Sequence, residues 1–100
     1  MSVLVFAPDL MDRSKITAAV PDAVFVARVA ELVAAPGDTV VVDLSRPGVL
    51  DVVTGLTARG VRVVGFASHV DRVGIDAARE AGAETYARSA FFGRVGELLS

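Results

Sequence analysis

The segment from residue 39 to residue 48 constrains the fold more than any other part of the sequence. It reads Thr-Val-Val-Val-Asp-Leu-Ser-Arg-Pro-Gly, so four β-favouring residues run without polar alternation into Asp43. Such an unbroken apolar run is typical of a parallel strand that is buried on both faces. The Pro47-Gly48 pair then stops the strand and begins a turn into a helix. Ligands of open parallel sheets bind outside the carboxyl ends of central strands, so Asp43 is the first candidate site residue.

The rest of the chain repeats this alternation of strand and helix. Segments of strand length occupy residues 3–7, 23–27, 39–43, 61–67 and 84–87, and all but the last consist mainly of apolar residues. Helical spacing of apolar residues, or helix-start and helix-stop signals, predicts helices over 11–19, 28–35, 49–59, 70–81 and 90–99. Right-handed crossovers and short connections then favour one layout, a single α/β domain over residues 1–100. We expect a doubly wound, flavodoxin-like parallel sheet of five strands in the order 2-1-3-4-5.

Composition excludes several classes of protein. The chain is 53% hydrophobic and 22% charged, and it has no apolar run near the ~18 residues that a membrane span requires. A net charge of -2 provides no basic face for nucleic acid or an anionic membrane, so neither is an expected partner. The absence of cysteine excludes disulfides, thiolate catalysis and Cys-based metal sites. With no signal peptide in the sequence, the expected location is the cytoplasm.

The predicted strand order gathers polar residues at one edge of the sheet. The first and third strands are neighbours at the switch point, which places Asp9 beside Asp43. The fourth strand ends at Ser68 and the fifth at Arg88, so these side chains are expected at the same edge.

Purely structural roles are also open to these residues. Asp43 could start the turn that follows it or form an ion pair with Arg88. Asp9 could cap the first helix by accepting hydrogen bonds from the N–H groups of its first turn. Ser68 could be the N-cap of the helix that follows the fourth strand, and Ser89 the N-cap of the last helix.

This set of residues resembles the receiver domain of bacterial response regulators, and the resemblance extends over the whole chain. In that family an acidic pair after the first strand and an Asp at the end of the third hold Mg²⁺, and the third-strand Asp accepts a phosphoryl group from a histidine kinase. Asp43 matches that acceptor, and Pro47 matches a proline four residues beyond it. Ser68 matches the hydroxyl that ends the fourth strand, and Arg88 the basic residue that ends the fifth. The resemblance therefore implies a phosphoacceptor at Asp43 and a metal site at Asp9 and Asp43.

The sequence also departs from the family pattern in the same pocket. Pro8-Asp9 stands where the family has two adjacent acids, so one metal-binding carboxylate is missing. Arg88-Ser89 stands where the family has lysine and proline, and a guanidinium does not reproduce the point contact of an ammonium group. We therefore expect weak Mg²⁺ binding at most. The expected function is that of a stand-alone, non-enzymatic signalling domain that contacts a histidine kinase or another regulatory protein without being phosphorylated.

Two alternative functions remain open at this point, and both are regulatory. An enzymatic function is not expected. The chain could be a working receiver that is phosphorylated on Asp43. More distantly, residues 40–45 and 59–63 resemble anti-sigma-antagonist domains, in which a serine near a helix start is phosphorylated. A hydrolase triad built on His69 is not expected, because its neighbour Ser68 would point to the opposite face and no Gly-x-Ser-x-Gly motif is present.

Aromatic residues near the end of the chain indicate an interaction face. Tyr86 lies on the predicted fifth strand, and Phe91 and Phe92 lie on the last helix. Adjacent helical residues cannot both face one core, so one phenylalanine is expected at the surface or in a contact. Receiver-like domains commonly use this edge for protein contacts, so we expect a partner protein or a homodimer there.

Overall fold

Five parallel strands form the centre of the computed structural model, which describes residues 2–100. They are β1 (Val3–Phe6), β2 (Val24–Phe25), β3 (Thr39–Asp43), β4 (Arg62–Ala67) and β5 (Glu84–Ala87). Their order is β2-β1-β3-β4-β5, and every neighbouring pair is parallel. The predicted α/β class and strand order are therefore confirmed, and the arrangement is that of a flavodoxin-like fold.

Helices cover both faces of this sheet. They are α1 (Leu10–Ala19), α2 (Val49–Ala58), α3 (Arg72–Glu80), α4 (Arg88–Gly93) and α5 (Val95–Leu99). The helices α2 and α3 pack on one face, whereas α1, α4 and α5 pack on the other. No helix within residues 2–100 has both the length and the apolar character to cross a membrane.

The central strand β3 explains why the valine run has no polar alternation. Val40, Val41 and Val42 are all completely buried. Val40 and Val42 belong to the core on the α2 and α3 side, whereas Val41 belongs to the core on the α1, α4 and α5 side. Because successive side chains of a strand alternate between faces, a strand that is covered on both sides needs an apolar residue at every position.

The structure corrects the prediction of a helix over residues 28–35. Only a 3₁₀ turn forms, at Val29–Glu31. Fewer than three helical turns fit before Pro36, and helices this short depend on tertiary packing for their stability. Here only Leu32 is fully buried, whereas Val33 is 77% exposed. One anchoring residue is enough to hold the connection against the sheet but not to stabilise a helix.

The predicted helix over residues 90–99 is also divided. It begins earlier, at Arg88, and its N-cap is Ala87, so Ser89 is not a cap. The helix ends at Gly93, and Arg94 has non-helical backbone angles of φ -132° and ψ 17° before α5 begins. Glycine is among the weakest helix formers, which explains why the break falls at this position.

A glycine in β4 provides a test of how tightly the centre is packed. A Cβ atom on Gly65 would lie between 2.7 and 2.9 Å from the Leu44 side chain. We expect Gly65→Ala to lower the free energy of unfolding by about 1–3 kcal/mol because Leu44 must move. Gly96→Ala in α5 is the matched control, since nothing lies within 4 Å of the added carbon. Urea denaturation should show no loss for that variant, and an equal loss in both would contradict the packing argument.

Candidate functional site

The carboxyl ends of four strands bring the predicted site residues to one edge of the sheet. Asp9 follows β1, Asp43 ends β3, Ser68 follows β4 and Arg88 follows β5. The parallel register pairs Asp43 with Phe66, near the end of β4, and Ala67 with Ala87, so these ends lie level. The structure therefore places these four residues at the same edge of the sheet.

Asp43 is buried, with only 3% of its surface exposed, and both of its carboxylate oxygens have partners in its own turn. Oδ1 accepts hydrogen bonds from the Ser45 backbone N–H at 3.0 Å and from the Ser45 hydroxyl at 2.6 Å. Oδ2 accepts one from Nε of Arg46 at 3.4 Å. Asp43 therefore starts the turn, as one of the structural alternatives predicted. Its ion-pair partner is Arg46, not Arg88. The turn reverses the chain direction, so Arg46, three residues after Asp43, lies beside the carboxylate.

A second buried carboxylate at this edge was missed by the sequence analysis. Asp12 in α1 is 1% exposed, and its Oδ1 accepts a hydrogen bond from Nη2 of Arg88 at 2.5 Å. The other oxygen, Oδ2, is buried without a hydrogen-bond partner among residues 2–100. The sequence did contain a signal, because Asp12 lies four residues before the fully buried Ile16 and therefore shares its face of the helix.

Arg88 lies among the acids of this edge. Its hydrogen bond to Asp12 is the main factor that raises the pKa of Arg88, and the charges of Asp12, Asp43 and Asp9 act in the same direction. Its guanidinium carbon also lies 5.2 Å from the ring centre of Phe66. The side chain is thus held from one side by carboxylates and from the other by an aromatic ring, although it remains 40% exposed.

Asp9 is the N-cap of α1, as the structural alternative predicted. Its Oδ1 accepts hydrogen bonds from the N–H groups of Met11 at 2.9 Å and Asp12 at 3.0 Å. The bond from the Asp12 N–H is the main reason that the pKa of Asp9 lies below its ordinary value, and the charges of Arg88 and Arg46 contribute less. The carboxylate that was predicted to hold metal is therefore engaged in capping.

Ser68 and Pro47 lie at the surface of the same edge. The Ser68 hydroxyl accepts a long hydrogen bond of 3.4 Å from the Val70 N–H. The cap of α3 is Asp71, which accepts from the Gly74 N–H at 3.1 Å, so the prediction that Ser68 is the N-cap was wrong. Pro47 is exposed in the turn between β3 and α2.

The donor set does not fit a magnesium ion. Mg²⁺ completes an octahedral shell with waters around one or two carboxylates that are free to bind it, but Asp43 and Asp12 each face an arginine and Oδ1 of Asp9 caps a helix. No group of three or more His, Cys, Asp or Glu side chains within residues 2–100 is arranged to hold a metal ion. The positive charge that faces these carboxylates therefore comes from Arg46 and Arg88.

The two adjacent phenylalanines differ in burial, but both rings pack against Phe66 in the core, with the ring centre of Phe92 5.1 Å from that of Phe66. Phe91 is completely buried and stacks on Phe66, with ring centres 4.9 Å apart and planes 15° apart. Phe92 is half-buried, and Nζ of Lys15 lies 5.1 Å from its ring centre. Tyr86 is also half-buried. Phe91 therefore cannot contact a partner, and the predicted interaction face is reduced to Tyr86 and Phe92.

Comparison with known proteins adds no relative to this description. No protein-family model matches the chain, and no curated protein or solved structure matches it significantly.

Loss of Arg88 should leave the buried Asp12 charge uncompensated. We expect Arg88→Met to lower the free energy of unfolding by about 2 kcal/mol, less than for a fully buried pair because Arg88 is partly exposed. Arg94→Met is the matched control, since Arg94 pairs with Glu97 at the surface and such pairs contribute less than about 1 kcal/mol. Denaturation curves that shift equally for the two variants would show that Arg88 does not compensate Asp12.

The Asp9 cap should make the free energy of unfolding depend on pH. Because the folded-state pKa of Asp9 is lowered, its contribution is present above the unfolded-state pKa and is lost as pH falls through the folded-state pKa. Asn caps helices as well as Asp does but carries no charge. The stability advantage of the wild type over Asp9→Asn should therefore shrink below about pH 4. A difference that is constant between pH 7 and pH 2.5 would contradict the assignment.

Proposed function

We propose that the protein is a receiver-like regulatory domain that acts by contacts with other proteins and does not carry a phosphoryl group. The observation that supports this most directly is the neutralisation of both buried acids by arginines of the same chain. Arg46 faces Asp43, and Arg88 faces Asp12. The position that resembles a phosphoacceptor is thus occupied by internal interactions.

The first step of the argument concerns the nucleophile. Phosphoryl transfer to a carboxylate requires an oxygen that can approach the phosphorus in line with the leaving group. Both oxygens of Asp43 already accept hydrogen bonds, and the residue is almost completely buried. A phosphoryl donor would have to displace Ser45 or Arg46 before it could react.

The second step concerns the charge that develops on the transferred group. Its equatorial oxygens need preorganised cations, which a metal ion and a mobile lysine would supply. Arg88 is instead hydrogen-bonded to Asp12 and lies over Phe66. If Arg88 moved towards a phosphoryl group, both oxygens of Asp12 would be buried without a partner, because Oδ2 has none already. These contacts therefore favour one fixed arrangement of the Arg88 and Asp12 side chains.

The proposed partners are regulatory proteins, a histidine kinase among them, and the proposed activity is binding without turnover. A homodimer is an alternative form of the same contact. A cytoplasmic location belongs to the proposal, and a chain without cysteines is compatible with a reducing compartment.

A working receiver is the second candidate, and one feature favours it. Asp43 does lie at the end of the central strand, and its charge is close enough to raise the pKa of Arg88. An anti-sigma-antagonist-like domain is less well supported, because that family has a mostly mixed sheet and all strands here are parallel.

Phosphorylation chemistry distinguishes the two candidates. The protein would be incubated with Mg²⁺ and acetyl phosphate, and its intact mass compared with that of Asp43→Asn. We expect no stoichiometric mass gain in either protein, and no beryllium fluoride-induced shift of the amide NMR signals around residue 43. A magnesium-dependent gain of one phosphoryl group that disappears in Asp43→Asn would restore the function of an ordinary response regulator.

A further inference from the structure

The outer side of β5 is a free strand edge, which is the lateral border of the sheet and not the edge formed by the carboxyl ends of the strands. This strand is last in the sheet order, and its one strand neighbour within residues 2–100 is β4. In a parallel strand, alternate residues direct both N–H and C=O to the same side. The residues that do not face β4 therefore present backbone donors and acceptors on which another strand could pair.

A groove runs between this edge and α3. Its volume is about 220 Å³, and its lining includes Thr85 and Tyr86 from β5 and Ile75 from α3. The hydroxyl of Thr85 is buried and has no hydrogen-bond partner among residues 2–100. Buried polar groups are rarely left unsatisfied in folded proteins. The groove thus combines a free strand edge with the apolar side chain of Ile75, and the Thr85 hydroxyl is buried in its wall.

The α3 wall of the groove carries two arginines and one acid, Asp76, so its charge is net positive. Arg72 and Arg79 lie two helical turns apart on the same face, and His69 lies before the helix at the same groove. Arg72 forms no ion pair within the described residues. Arg79 pairs with Asp76 at 3.6 Å, but both side chains are more than half exposed, and such pairs contribute little. Arg79 can therefore exchange this partner for another acid.

We infer that the groove between α3 and β5 binds an extended acidic segment of a partner protein, which adds to the sheet as a sixth strand beside β5. Main-chain hydrogen bonds to the strand edge supply affinity in this mode of recognition, and side chains on the adjoining wall supply specificity. Acidic side chains of the segment would face Arg72 and Arg79. This inference rests on the proposed function, since it identifies the surface at which the protein contacts are made.

The charge of the groove argues for a different protein rather than a second copy. Symmetric pairing of two β5 strands would bring two arginines and only one acid, Asp76, from each copy towards the same interface, so both sides would be net positive. Like charges that face each other oppose association. An acidic segment has the complementary charge.

A direct test uses an N-acetylated, C-amidated peptide of four Glu-Val repeats as the probe, with the full chain labelled for amide NMR. We expect shifts confined to β5 and α3, and a weaker effect at high salt because part of the affinity is electrostatic. The Lys-Val peptide of the same length should not bind. Binding of both peptides with equal affinity, or shifts elsewhere on the surface, would overturn the inference.

Charge reversal on the protein completes the test. Arg72→Glu and Arg79→Glu should each weaken binding of the Glu-Val peptide by about tenfold, which corresponds to about 1.4 kcal/mol. Arg59→Glu, at the exposed end of α2, is the matched control and should leave the affinity unchanged. Equal affinities in all variants, or β5 shifts that depend on protein concentration without peptide, would contradict an acidic ligand. Phosphorylation of Asp43 would disprove the proposed function but leave these results intact, so the two proposals fail separately.

Discussion

The burial of two carboxylates at one end of the sheet is the constraint on which the rest of this edge depends. An ionised acid that leaves water loses several kcal/mol of hydration, and only a nearby cation and hydrogen bonds can offset that loss. Asp43 meets the requirement locally, through the turn that it starts. Asp12 meets it through a residue 76 positions further along the chain. The polar edge is therefore a structural element in its own right, with its geometry fixed by charge compensation.

Arg88 shows how one side chain connects several layers of the fold. It begins α4, directly after β5, its guanidinium reaches α1 at Asp12, and it lies over the ring of Phe66 in β4. The last part of the chain is thereby attached to the first helix across the end of the sheet. These contacts suit an arginine, because its planar group can stack on a ring and donate hydrogen bonds at the same time.

The sequence was most informative where one physical requirement dominates. The valine run in β3 has to be apolar at every position, so both the strand and its central place could be predicted. The sequence was less informative where two alternative interactions of one residue differ little in energy. The acid at residue 43 was located correctly, but its partner depended on a turn that returns Arg46 instead of Arg88. Asp12 was missed because a charged residue is normally assigned to the exposed face of a helix. The arginine that compensates its charge is remote in sequence, so it gave no local signal.

The short second strand has a consequence for how the molecule opens. β2 is joined to β1 by only two register pairs, whereas β1 and β3 share four. The connection that follows it contains a single 3₁₀ turn. Segments with few backbone pairs and little buried surface open locally, without unfolding of the whole domain. Amide protons of residues 20–38 should therefore exchange with solvent orders of magnitude faster than those of β3, and a protease should cleave this part of the folded chain first.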